Sequence, residues 1–266
     1  SSSPRPGTTM YMNAAPAAGY SPAKQKADEP IEVTYDGVPD DVNMDLGAVD
    51  AHVRSGFVQK VFSLVAAQLL LTAAVCAAFM FVPSLRGFVL AAPSMQMLSF
   101  FASLGLLMAC FAFKDQHPNN LYCLFAFTLS IAWSVGTVCA RYYAVGLGLV
   151  VLQAVALTAS ATVGLTLYTL RSKKDFSYMG AALGASLWVL IIGSLVCSLV
   201  GMPGMHLALS VGGAAIFSLY IVYDVHMIAK RLSPDEYVLG AITLYLDIIN
   251  LFLHLLRILS ELQRNN

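Results

Sequence analysis

Asp224 and Asp247 are the two acids that lie well inside long apolar stretches, in IVYDVHM and LYLDIIN. A charge at bilayer depth costs about 2.5 to 3.5 kcal/mol on insertion scales, so intramembrane carboxylates face a bundle interior and serve an ion, proton or substrate path. If the two meet, both cannot ionise cheaply: charges about 4 Å apart at an effective dielectric of about 20 repel by about 4 kcal/mol. They would then share one proton and act as a pH switch, and the deprotonated pair would be a transient metal site for a hard cation such as calcium, which prefers oxygen ligands. Beyond Asp247, the residues Asn250, His254 and Arg257 follow at intervals of three, four and three. That spacing puts all four on one helical face, a polar stripe suited to lining a water-accessible path. Each also has a plainer use: an interhelical hydrogen bond for Asn250, helix packing for His254 and for His226 beside Asp224, and snorkelling to the interface for Arg257.

Catalysis fits these residues less well. An intramembrane aspartyl protease would use two aspartates, but no Gly-x-Gly precedes either one to bring flexible backbone to a substrate. No GxSxG serine elbow occurs, and the last apolar run has no lysine to hold retinal. The chain is therefore expected not to be an enzyme and to need no bound cofactor, with calcium as a transported species.

The elements that must carry these carboxylates are membrane helices. Of the 266 residues, 58% are hydrophobic and only 11% charged, against about 25% charged in a soluble domain; the mean hydropathy is +0.71. Seven apolar runs are long enough to cross a hydrocarbon core, which takes about 20 helical residues: Val61 to Phe81, Met95 to Phe113, Leu121 to Ala140, Tyr143 to Leu170, Met179 to Val200, Leu207 to Ile228, and Val238 to Leu259. The fold class is thus an all-α membrane protein, a seven-helix bundle with the lipid bilayer as its first partner. The fourth run is overlong and is expected to tilt or bend at Gly146, Gly148 and Gly164. Gly180 and Gly184 form a GxxxG, and Ser210 with Ala214 a small-xxx-small pair, both suited to close helix approach. With these boundaries Asp224 and Asp247 differ in depth by about 8 Å, so spacing leaves their pairing open.

Residues 1–56 are rich in Pro, Ala, Ser and Gly and then in acids, eight of the fifteen falling before residue 57. That composition is expected to give a disordered tail ahead of a membrane domain at 57–266. The first twenty residues lack a charged n-region followed by an apolar core, so the first span is expected to act as its own insertion signal. With the tail inside, the inner loops hold eight Lys and Arg and the outer side four, which puts the N-terminus in the cytosol. Acids and bases balance at fifteen each, with no basic face for nucleic acid. The five cysteines show no CxxC or Cys/His metal spacing and read as buried thiols.

Three stretches carry a resemblance: HVRSGFVQKVFSLVAAQL (His52 to Leu69), RSKKDFSYMGAAL (Arg171 to Leu183), and SLYIVYDVHMIAKRLSPDEYVLGAITLYLDIINLFLHLLRIL (Ser218 to Leu259). Over about residues 50 to 260 the chain resembles the transmembrane Bax inhibitor motif family, in its Lifeguard branch. The resemblance implies a seven-helix bundle whose C-terminal helix is surrounded by the other six, with a di-aspartyl pH sensor at Asp224 and Asp247. It implies a pH-sensitive calcium leak channel of an endomembrane, Golgi or endoplasmic reticulum, with an anti-apoptotic role. The alternative is a non-conducting regulator of cell death acting through apoptosis-regulating membrane proteins. Two departures stand out. Bacterial relatives latch the dyad to an arginine on the second helix, where this chain has no basic residue before Lys114, and the usual Thr after the Tyr-Asp of the sixth helix is Val225.

Overall fold

The computed structural model describes residues 40–114, 116–200 and 204–264. Eight helices follow one another: α1 (Asp40–Phe81), α2 (Pro83–Ala91), α3 (Pro93–Ala112), α4 (Asn119–Ala144), α5 (Gly148–Arg171), α6 (Gly180–Val200), α7 (Met205–Lys230) and α8 (Tyr237–Arg264). All but α2 are long and apolar enough to cross a membrane. The first 39 residues of the expected tail lie outside the described residues. The remainder of that stretch is a correction: the backbone is helical from Asp40, and no proline interrupts it before Pro83. Helices also outrun the apolar runs at other ends, the last span covering Pro234–Arg264, because polar residues at a membrane edge still satisfy the helical ladder.

Proline and glycine set the breaks. Pro83 and Pro93 occupy first-turn positions of α2 and α3, where a missing N–H is harmless and the preceding helix cannot continue through them. The short α2 was not legible as a separate element.

The overlong fourth run is the second correction. Instead of bending, it divides, and Tyr143 and Ala144 close α4. Gly146 adopts φ +86°, Leu147 N–H donates to Tyr142 O at 2.9 Å, and Gly146 N–H donates to Tyr143 O at 3.1 Å. This is a Schellman ending, in which a left-handed glycine lets the turn cap the last carbonyls.

Helix α8 lies at the centre. Fourteen of its residues are buried, against three each in α3 and α6. It packs on α3, α4, α5 and α7, and α1 reaches it where Thr72 Oγ1 and the Tyr245 hydroxyl share a hydrogen bond of 2.9 Å. Asn120 Nδ2 of α4 donates to the Tyr237 hydroxyl at 2.8 Å, and the Phe127 and Tyr245 rings meet edge to face. Among the described residues α6 packs on α7 and not on α8, so five of the other six spans border the central helix. The GxxxG of α6 is half used: Gly180 lies against the Tyr223 hydroxyl of α7, while Gly184 faces open space.

Candidate functional site

The two intramembrane carboxyls meet. Helices α7 and α8 are antiparallel neighbours joined by residues 231–236, a connection closed by a capping box between Ser233 and Glu236, with Ser233 N–H donating to Glu236 Oε2 at 3.0 Å. The chain leaves α7 through Arg231 and Leu232 and enters α8 through a turn of 3₁₀ helix, Pro234–Glu236. This asymmetric turn removes the depth difference expected from the apolar edges. Asp224 and Asp247 sit side chain to side chain, and Thr243, one turn before Asp247, faces Asp224. They are 9% and 6% exposed, and Asp247 Oδ2 is buried with no hydrogen-bond partner. Two carboxylates have no donor between them, whereas one proton makes a hydrogen bond and removes their repulsion. Tyr220, one turn before Asp224, lies within electrostatic range of both.

Among the described residues no third His, Cys, Asp or Glu joins the pair as a metal cluster. Calcium takes 6 to 8 oxygen ligands, more than two carboxyls and a threonine hydroxyl supply.

The stripe below Asp247 is placed residue by residue. Asn250 Nδ2 donates to Leu246 O of its own helix at 2.8 Å, so its amide spans no helix pair. His254 stacks on Phe217 of α7, ring centroids 5.6 Å apart, over Gly213. Arg257 is exposed. The structure thus brings Asp224 to Asp247 and leaves the other three residues farther along α8.

Several partners were not foreseen. Val225 is fully buried, and Thr243, whose hydroxyl donates to Gly240 O at 3.4 Å, faces Asp224 from α8. On the α1 side, Arg54 Nε donates to Ala229 O at 2.8 Å and its Nη1 to Leu232 O, so an arginine clasps the end of α7 rather than the dyad. His226, 2% exposed, places Nε2 2.9 Å from Asp175 Oδ1 in the α5–α6 connection, and Arg231 donates to Asp175 Oδ2 at 2.8 Å. The Ser177 backbone N–H at 2.9 Å, with Arg231 and His226, holds the Asp175 carboxyl well below the usual carboxylate range. The sequence signal for His226 was present, a histidine among apolar residues, but its partner lies 51 positions away.

Residues 54–265 match the family described as "Inhibitor of apoptosis-promoting Bax1". The chain belongs to this Bax inhibitor family. Among its relatives, the "Golgi anti-apoptotic protein" of vaccinia virus (strain Lister) is 43% identical over 225 residues, covering 84% of this chain and 93% of that protein. "Protein lifeguard 4" of Mus musculus is 42% identical over 229 residues, with 85% and 94% covered. "Bax inhibitor 1" of Schizosaccharomyces pombe is 35% identical over 215 residues, with 80% and 79% covered. As a Bax inhibitor family member the chain is a multi-pass membrane protein, and the matched region includes α7, α8 and both aspartates.

Proposed function

We propose that this protein is a pH-gated calcium leak channel of an endomembrane, Golgi or endoplasmic reticulum, and that it restrains apoptosis by setting the calcium held in that store. The supporting observation is the contact between two buried carboxyls on adjacent helices, one of them on the central α8. A shared proton holds α7 and α8 together at that level. Its loss puts two negative charges in contact, and relief comes from helix separation, water entry or cation binding, each of which opens a path. Thr243 faces Asp224 and favours ionisation of that carboxyl. No bond is made or broken, so the role is transport and not enzymatic.

The N-terminus is cytosolic on the count of eight inner against four outer Lys and Arg. This places Asp175, His226 and Arg231 at the cytosolic mouth. The golgi-named viral relative supports the membrane chosen and the cell-death role.

The rival is a non-conducting regulator that binds apoptosis-regulating membrane proteins. Release of trapped calcium from vesicles holding the full chain, beside a chain lacking residues 1–50, separates the two. A leak through the bundle survives the deletion. Vesicles that hold their calcium with either chain would favour the rival.

A further inference from the structure

We infer that a groove between α1 and α5 holds one acyl chain of a bilayer phospholipid. The groove encloses about 520 Å³, within the range of small-ligand sites. Its back wall is buried: Val151, Cys139, Ile248, Ile249 and Phe252 are all under a tenth exposed. The last three belong to α8, beside Asp247. Its rim, with Leu70, Leu152, Val155 and Val163, is more than half or about half exposed and opens sideways from the bundle.

Three observations choose the occupant. The first is polarity. No charged residue lines the groove, Thr72 spends its hydroxyl on Gln68 O and Tyr245, and Thr158 spends its own on Ala154 O, while the buried Thr162 hydroxyl has no partner. One free hydroxyl falls short of the about 2 to 4 polar partners that an ordered water needs, and an empty cavity forfeits dispersion contacts along its whole lining.

The second is length. The walls run from Leu69 to Phe81 on α1 and from Val151 to Val163 on α5, each about 18 Å at helical rise. Half of a hydrocarbon core is about 15 Å, so the groove matches the acyl depth of one leaflet. The two helices are antiparallel in the order of spans, so both walls reach the same membrane face, where α1 ends and α5 begins.

The third is charge at that mouth. Arg86 of α2 donates to the Met80 carbonyl at 2.7 Å and lies over the Tyr143 ring. Met80 lines the groove, so a guanidinium is fixed where the phosphate of a lipid with its tail in the groove would stand.

The test uses the full chain in phosphatidylcholine vesicles with a trace of phosphatidylcholine carrying a diazirine on its acyl chain. After illumination, adducts are mapped by peptide. Adducts on 69–81 and 151–163 should exceed those on the outward face of α6, around Trp188 and Leu199, by about tenfold per residue. Ala73→Trp and Ala159→Trp fill the groove from opposite walls at exposed positions, and either should remove most groove adducts. Ala156→Trp, exposed on α5 but outside the groove, should leave them intact. Labelling spread evenly over the groove and α6 would overturn the inference, as would groove labelling that survives both filled variants eluting as folded protein. Loss of phospholipid adducts to an equal amount of sterol or free fatty acid would overturn the phospholipid as occupant.

Discussion

Gly213 of α7 lies directly beneath the imidazole of His254 on α8, so close that a β-carbon at 213 would occupy the space of the ring. Glycine in a helix interior ordinarily weakens it by about 1 kcal/mol relative to alanine. Here the sign reverses. Gly213→Ala forces His254 off the Phe217 ring and is expected to destabilise by about 1 to 3 kcal/mol through overpacking. Thermal unfolding in detergent checks it. His254→Ala in the same chain should restore much of the loss, the coupling expected of residues in contact.

Asp175 is the acceptor that keeps the buried face of His226 paired. Exposed ion pairs contribute about 0 to 1 kcal/mol, so loss of Arg231 alone should matter little. Asp175→Ala leaves Nε2 of His226 unpaired on a ring whose Nδ1 already has no partner, and an orphaned buried donor costs about 1 to 3 kcal/mol. Asp175→Asn keeps an acceptor and should cost less. Proteolysis at Lys173 and Lys174, whose connection the contact holds, should rise in the order wild type, Asn, Ala.

The same carboxyl has a defined pH window. Its folded value is held below the usual range, so its stabilisation is present above the unfolded value of about 3.9 and is lost as pH falls through the lower folded value. Titration of the Asp175 carboxyl itself should therefore cost stability only below about pH 4. Asp175→Asn should remove that acid loss, and a loss that persists unchanged in the variant would contradict the assignment.

Gly146 carries the break between α4 and α5. At φ +86° a β-carbon costs about 1 to 2 kcal/mol, and a β-branched side chain more. Gly146→Val should lower the unfolding temperature measurably, whereas Gly164→Ala, where a β-carbon meets nothing within 4 Å, should be neutral or slightly stabilising.

Membrane spans were readable because bilayer thickness fixes length and composition together. The limits of that signal are specific. VGLGLV around Gly146 is as apolar as the helices it separates, so hydropathy merged the turn into one run. The proline pair that delimits α2 was visible, but its nine residues fall in the gap between the first run, ending at Phe81, and the second, starting at Met95, and are too few to read as a span. The two carboxyls stood out because each is alone in an apolar stretch. Their contact was not legible, since the turn between α7 and α8 sets the register and no edge count captures it. Asp175 and Thr243 were missed for a related reason: a partner's identity is a property of the fold, while the sequence showed only a loop acid and an unremarkable threonine.

If the two carboxyls act as a unit through one proton, their substitutions must not add. Asp224→Asn, Asp247→Asn and the double variant should share one flat dependence of calcium flux on pH, and none should unfold, because an Asn amide can donate to the remaining carboxylate in each single variant and to the other amide's oxygen in the double. Two single variants that each retain half of the pH response would indicate independent groups.

Gating by the carboxyl pair is decided by calcium flux into liposomes containing the purified full chain, from about pH 5.5 to about pH 8, beside Asp247→Asn. The flux should change with pH in the wild type and lose that change in the variant. No flux above empty liposomes at any pH, or a pH response identical in both chains, would contradict it.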